Sequence, residues 1–269
     1  MLKKKCWFCH YIVLTVSRIC ECFLKKKADI LFSHQVCNLA IQLKKKFQLS
    51  SVFLYNMSHN EIQKLHHYLD ENLIKKFIWI SCSHIISSVL FAKKSEREFC
   101  FCIDYKELNA IIVKNHYLLF LISEILNCLC KTRIYFKLNI IHAFNCLHIW
   151  KNDEKLTVFH TYFEFFEYFV VFFDFFNDSV TFQFYINDIL WEYLDDFCTV
   201  YLDNILIYNK LEMKHEIHVK HIFQKLWEAD LQVDVIKYEF HVMKVIYLSL
   251  IIITEDICMN SVKIEIIVN

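Results

Sequence analysis

The chain contains no glycine and no proline in 269 residues, where ordinary usage gives roughly 7% and 5%. Glycine serves positions that need φ > 0 or a close backbone approach, and proline fixes turns. The double absence excludes a fold kept in its original condition: no ordinary fold of this size dispenses with both by design. Something removed them after the fold evolved. The sequence also lacks a charge excess, with 30 Lys+Arg against 30 Asp+Glu. Net charge therefore gives no support to a nucleic-acid-binding chain, although a local basic groove fits inside a neutral whole. Long hydrophobic runs are missing too. The longest stretch free of charge, Phe77 to Ala92, carries serines and a histidine and falls short of the ~18 residues a spanning helix needs. Residues 158–176 are interrupted by Glu164, Glu167 and Asp174. Lys3–Lys5 precede an apolar run, but no small-residue cleavage site follows. These absences exclude a transmembrane reading.

What is abundant is cysteine and phenylalanine: 13 Cys, 26 Phe and 17% aromatics. The cysteine spacings form no secreted disulfide framework, so the chain reads as intracellular, in cytoplasm or nucleus. Cys6-Trp7-Phe8-Cys9-His10 has the form of a haem-attachment motif. It stands alone near the terminus and would require export, so no haem is expected. Lysine triplets at 3–5, 25–27 and 44–46 read as solvated linker, and residues 1–46 as an irregular N-terminal arm.

Regular structure begins with Ser58-His59-Asn60-Glu61, a capping box. Ile62, Leu65, Leu69 and Leu73 follow at helical spacing, which predicts a helix over 59–76. Strands are expected over 99–105 and 134–138, and a helix over 178–192. Thr199-Val200-Tyr201-Leu202-Asp203-Asn204-Ile205-Leu206-Ile207-Tyr208 places an Asp-Asn pair between two apolar runs, which predicts a hairpin with polar residues at its tip. A helix over 211–230 and strand character over 242–253 complete an α+β pattern. A carboxylate at a hairpin tip implies partners, because two-metal nucleotidyl transfer needs several carboxylates converging on ions ~3.5–4 Å apart.

The residues then resemble a known family. Phe101 to Ala110, FCIDYKELNA, is similar to FCVDYRxLNA; residues 136–145, FKLNIIHAFN, to TKLDLRGAYN; and residues 195–208, DDFCTVYLDNILIY, to the YLDDILI hairpin. Residues 54–58, 68–73 and 237–242 fit the same pattern, in order and at family spacing. Together they resemble the reverse transcriptase of gypsy-type LTR retrotransposons, from about residue 17 to the end. The resemblance implies the fingers and palm of a right-hand polymerase around a central antiparallel sheet, over residues 47–253. Residues 254–269 would begin a truncated thumb or connection, with ribonuclease H and integrase beyond it. It further implies Mg²⁺ as cofactor and an RNA or DNA template-primer as partner. Asp203, Asn139 and Asn204 would occupy the catalytic metal positions. Phe144 would sit beneath the sugar, with Lys93, Lys94, Cys100 and Gln183 around the nucleotide and Lys237 as a palm lysine. Read without the family, Phe144 is core, Gln183 a solvated helix residue and the lysines surface charge. His215, His218 and His221 fall three apart on one helix and offer no closed zinc site.

The departures carry the functional expectation. Two of three metal-binding carboxylates are amides, at Asn139 and Asn204; an amide oxygen lacks the charge that holds a divalent ion. Cys100 stands where the family has an arginine that clamps the triphosphate, and cysteine offers no bidentate phosphate contact. Asp174 and Ser249 replace glycines. Glycine changed to Asp, Arg or Ser, proline to Leu, Phe or Ser, Asp to Asn and Arg to Cys are mostly C-to-T or G-to-A changes in the genetic code. That points to mutational decay of a repeated element. The expectation is a catalytically inactive remnant; the alternative is a noncatalytic nucleic-acid-binding protein derived from a retroelement. Former glycine turns, at ~1–2 kcal/mol each against a total stability of about 5–15 kcal/mol, predict a chain that is insoluble or molten alone. The resemblance further implies that the Asn139 and Asp203 side chains lie within ~10 Å, since both must reach one ion pair.

Overall fold

A computed structural model of the chain describes residues 38–44, 55–83, 85–93, 99–115, 129, 132–172, 175–234, 239–248, 250–253 and 256–259. The first elements are α1 (His59–Ile74), β1 (Ile78–Ile80), β2 (Ser87–Lys93), β3 (Phe99–Asp104) and α2 (Lys106–Ile111). The middle of the chain forms β4 (Ile134–Asn139), β5 (Phe159–His160), β6 (Phe165–Tyr168) and α3 (Asp178–Leu190). Then come β7 (Cys198–Tyr201), β8 (Asn204–Asn209) and α4 (Glu212–Glu228). The last strands are β9 (Glu239–Val242), β10 (Lys244–Tyr247), β11 (Leu250–Ile253) and β12 (Asp256–Met259). Two compact units result. One draws its described residues from Leu118–Ala143 and Gln183–Asn269, the other from Asp29–Tyr117 and Phe144–Phe182.

The first unit is built on an antiparallel sheet of order β7-β8-β4-β9. β4 and β8 are apolar on both faces because both are covered. Phe136, Leu138, Ile205 and Ile207 alternate onto one face, where Phe136 meets Phe223 of α4 at 5.9 Å between ring centroids. Val219, Ile222, Phe223 and Leu226 form the buried stripe of that helix. The opposite face carries Tyr135, Leu206 and Tyr208, which pack with Val245, Tyr247 and Ile252 of β10 and β11. Those two strands and β12 make a separate antiparallel sheet. The run expected as strand over 242–253 is thus divided by a turn at Leu248.

The second unit holds a five-stranded sheet of order β1-β6-β5-β2-β3, antiparallel except for the β2–β5 pair. The α1 capping box forms as its sequence predicts: Ser58 Oγ accepts from the Glu61 N–H, and Glu61 accepts from the Ser58 N–H. Leu65 and Leu69 are its buried residues. The core is aromatic. Tyr68 stacks on Phe101 at 4.2 Å, and its hydroxyl lies 2.6 Å from that of Tyr168. Residues 38–44, expected within an irregular arm, are instead pinned into this unit. Leu39 and Ile41 are buried, Leu39 bridges Ile149, and the Ile41 N–H donates to Asp153 Oδ2 at 2.9 Å. The alternation Leu39, Ile41, Leu43 is the sequence signal for this, too short beside Lys44–Lys46 to mark a strand by itself. The Cys6–His10 motif lies outside the described residues. No described helix is long and apolar enough to cross a membrane.

Left-handed backbone appears at seven described residues: Lys76, His142, Asn152, Asp195, Leu202, Asp230 and Leu248. Two of them end helices. After α1, Lys76 N–H donates to Leu73 O and Phe77 N–H to Asn72 O; after α4, Asp230 N–H donates to Trp227 O and Leu231 N–H to Leu226 O. Both are Schellman motifs, whose left-handed position normally holds glycine. His142, at φ 49, occupies the glycine of the TKLDLRGAYN-like motif. Asn and Asp tolerate this region through local hydrogen bonding, so the strain concentrates at Lys76, His142, Leu202 and Leu248. Four such residues amount to roughly 4–8 kcal/mol within an ordinary total of about 5–15 kcal/mol, so this strain lowers stability without abolishing folding, and a folded chain replaces the insoluble or molten one expected from the glycine count. Replacing Lys76 or His142 by glycine should stabilise the chain by about 1 kcal/mol, after the added unfolded-state entropy is subtracted. Calorimetry should show each Tm rising by ~2–4 °C; a lower Tm for His142→Gly would show that its backbone is not strained.

Candidate active site at the hairpin turn

β4 and β8 pair in register from Ile134↔Asn209 to Asn139↔Asn204. That register places Asn139 at a strand end directly opposite the first residue of β8. β7 and β8 close through a two-residue turn, Leu202–Asp203, because Tyr201 already pairs with Asn204. The turn is therefore one residue earlier than the Asp-Asn tip expected from sequence, with Asn204 inside the strand. Leu202 takes φ 52, as the first position of a tight hairpin turn requires. The Ile140 N–H donates to the Asp203 carbonyl at 2.9 Å, tying the turn to the strand end.

These constraints bring three side chains together. Asn139 Nδ2 donates to Asn204 Oδ1 at 2.9 Å and lies 3.5 Å from Asp203 Oδ2. Asn204 Nδ2 donates to Asp203 Oδ1 at 2.7 Å. Asn139 and Asp203 thus meet well inside the distance required of partners at one ion pair. Asn139 is buried, while Asp203 and Asn204 are half-buried. Behind them Tyr247 donates to the Asn204 carbonyl at 3.4 Å. Burial holds the Tyr247 hydroxyl well above the usual tyrosine range, so it serves as a neutral donor.

Gln183 has a role that sequence reasoning missed. Expected at the nucleotide, or else solvated, it is 1% exposed. Its Oε1 accepts from the Leu202 N–H at 2.7 Å, and its Nε2 donates to Asn187 Oδ1 at 2.8 Å and to the Val200 carbonyl at 3.2 Å. The amide is engaged in holding the strained turn through its oxygen and its nitrogen. Gln183 and Asn187 stand four apart on α3, the helical spacing at which two amides meet.

Phe144, Cys100 and Lys93 belong to the other unit. Phe144 sits on a 3₁₀ turn, Ala143–Cys146, half-buried with its ring 5.6 Å from that of Phe182. Cys100 is exposed on β3. Lys93 is the last residue of β2. Lys94, Asp174, Lys237 and Ser249 lie outside the described residues. Of the histidine triplet, His215 turns inward to Asn209 at 3.0 Å, while His218 stacks on Phe197 and His221 on Tyr193.

The donor set can be tested against a pair of divalent ions, which need hard, charged oxygen ligands. Here one carboxylate faces two amides. A carboxylate only accepts, so it draws both amide N–H groups toward the space an ion would fill. The three residues do not fit a two-metal centre. Among the described residues no group of three or more His, Cys, Asp or Glu gathers to hold a metal.

The sheet and its turn define a class of protein, the right-hand polymerases. The foamy viral protease-reverse transcriptase in complex with dsDNA superposes with a TM-score of 0.78 at 17% identity, covering 91% of this chain and 52% of that one. The same viral protein in complex with an RNA/DNA hybrid gives 0.77 at 17% identity, covering 91% and 34%. At such identity the likeness shows the fold. In sequence, the family described as "Reverse transcriptase (RNA-dependent DNA polymerase)" matches residues 91–252, more than half of the chain. The chain belongs to the reverse transcriptase family, whose members work with divalent metal ions. The Transposon Tf2-7 polyprotein of Schizosaccharomyces pombe is 31% identical over 195 residues, 72% of this chain and 15% of the polyprotein. The Transposon Tf2-3 polyprotein of the same organism gives the same identity and coverage. Tf2 is a gypsy-type LTR retrotransposon, in keeping with the resemblance. The chain spans about 15% of the length of the curated relatives it matches.

Gln183→Leu should leave the Leu202 N–H and the Val200 carbonyl without their partner and cost about 1–3 kcal/mol. Urea denaturation should show this as a lower midpoint with unchanged slope. Gln183→Glu keeps the acceptor for Leu202 but sets a buried carboxylate oxygen against Asn187 Oδ1 and the Val200 carbonyl, and should lose at least as much. Equal stability of the leucine variant and the parent would mean that the amide does not hold the turn.

Proposed function

We propose that this chain is a reverse transcriptase domain of a retrotransposon polyprotein whose nucleotidyl-transfer site is no longer competent. Asp203, Asn139 and Asn204 occupy the family's metal positions in this reading. The observation that carries it is the direction of the hydrogen bonds at the turn: both asparagine amides point N–H groups at the one carboxylate. Mg²⁺, the ion the family resemblance implies, then meets one charge where three would hold it, so its binding is weakened. Cys100 offers no guanidinium to a triphosphate, and Phe144 keeps an aromatic ring at the sugar-facing position of the motif.

A second reading has support of its own. The chain keeps the polymerase fold over most of its length, and two of the solved structures it resembles are complexes with an RNA/DNA hybrid and with dsDNA. Binding of a template-primer without chemistry is consistent with a balanced net charge if lysines gather locally. Such a chain would act by occupying template rather than by copying it.

Extension of a labelled primer on an RNA template, with Mg²⁺, separates these readings. The chain itself should give no product. Asn139→Asp with Asn204→Asp should give none either, because metal, nucleotide and primer must be held together within a fraction of an ångström and losses within one catalytic unit are not additive. Adding Cys100→Arg and Asp174→Gly should restore extension. Retention of the primer-template by the inactive parent would favour the second reading. Extension by the parent would overturn the proposal, and extension by the double variant would show the nucleotide clamp to be dispensable.

A further inference from the structure

We propose that the hairpin turn is closed by a metal-free clasp, in which N–H groups of the neutral Asn139 and Asn204 amides stand where cations would face Asp203. Each of the three side chains bonds to both others: Asn139 to Asn204 at 2.9 Å, Asn204 to Asp203 at 2.7 Å and Asn139 to Asp203 at 3.5 Å. The ring has one consistent direction. Asp203 can only accept, so Asn204 must turn its N–H₂ toward it and its oxygen toward Asn139, whose amide then donates to both neighbours. Flipping either amide would set oxygen against oxygen. Burial of Asn139 makes this closure matter, since an amide left unpaired there would carry its full desolvation cost.

Three carboxylates on the same backbone behave differently. Their oxygens would stand at the spacings now taken by hydrogen bonds, and like charges that close cannot all ionise without a cation or a proton between them. The two asparagines therefore convert a turn whose like charges would oppose closure into one closed by hydrogen bonds. The rest of the turn needs no change. The Ile140 N–H still holds the Asp203 carbonyl and Gln183 still holds Leu202, so a variant at 139 or 204 keeps its backbone anchors. The clasp deepens the reading of an incompetent site and rests on the same three residues.

The test is thermal unfolding of the full chain in chelator and in millimolar Mg²⁺. The parent should melt at the same temperature in both. Asn139→Asp with Asn204→Asp should melt lower than the parent in chelator, by more than about 4 °C, and recover with Mg²⁺. Should the double variant not fold in chelator, Asn204→Asp alone should show the same pattern at smaller size. Asp203→Ala should melt lower than the parent with or without Mg²⁺. Stabilisation of the parent by Mg²⁺ that Asp203→Ala abolishes would overturn the clasp, as would carboxylate variants as stable as the parent in chelator. The two ideas fail separately. A parent that is inactive yet stabilised by Mg²⁺ refutes only the clasp, whereas a parent that extends primers refutes the incompetent site.

Discussion

Pairing of β4 with β8 is the constraint on which the first unit rests. Six residue pairs, Ile134↔Asn209 through Asn139↔Asn204, fix at once what faces each side of the sheet. On one face this register sets Phe136, Leu138, Ile205 and Ile207 toward the α4 side. On the other it sets Tyr135, Leu206 and Tyr208 under β10 and β11. A slip of one residue would exchange the two faces and bury Lys137, whose Nζ now reaches the Ile246 carbonyl at 2.9 Å. The same pairing brings Asn139 level with the turn. Site and core therefore have a common origin: the hydrophobic register of β4 and β8 sets the positions of Asn139 and Asn204 whatever side chains stand there.

The missing glycines act on a different level, that of turn geometry. Helix ends and hairpin turns need a left-handed residue whatever the sequence supplies. The chain meets this need with Lys76 and Asp230 at two Schellman motifs and with His142 after β4. The fold persists because the hydrogen bonds of these turns, and the burial of Leu226 and Leu231 at the end of α4, outweigh the strain of a Cβ. Leu202 is a separate case. Its strain sits beside the site and is held by one buried amide, Gln183, so the rigidity of the turn depends on a residue in a helix rather than on the turn itself. Loss of glycine by mutational decay and retention of the fold are compatible on these terms.

Much of this was legible in the sequence, and the limits have physical causes. The capping box at Ser58 and the α1 stripe follow from local rules and form as expected. Alternation and apolar runs located β3, β4 and the β7–β8 hairpin, and the family motifs the meeting of Asn139 and Asp203. The inward turn of Gln183 was not legible, because periodicity identifies apolar faces and says little about which polar residue is buried with partners. The i, i+4 pair Gln183 and Asn187 was the available signal. Packing of residues 38–44 had a signal in the alternation of Leu39, Ile41 and Leu43, but so short a run beside a lysine triplet does not separate a strand from a linker. Most consequential, a motif gives residue identities but not the direction in which an amide points. That direction follows only from having Asp203, Asn139 and Asn204 at known distances.

The central claim is that the trio at the turn is satisfied by its own hydrogen bonds and holds no metal pair. A crystal of the full chain grown with Mn²⁺, measured at the manganese absorption edge, tests this most directly. The account predicts no anomalous peak at Asp203 and direct Asn139–Asn204–Asp203 contacts as described. An anomalous peak coordinated by Asp203, with the asparagine oxygens turned toward it, would contradict the account.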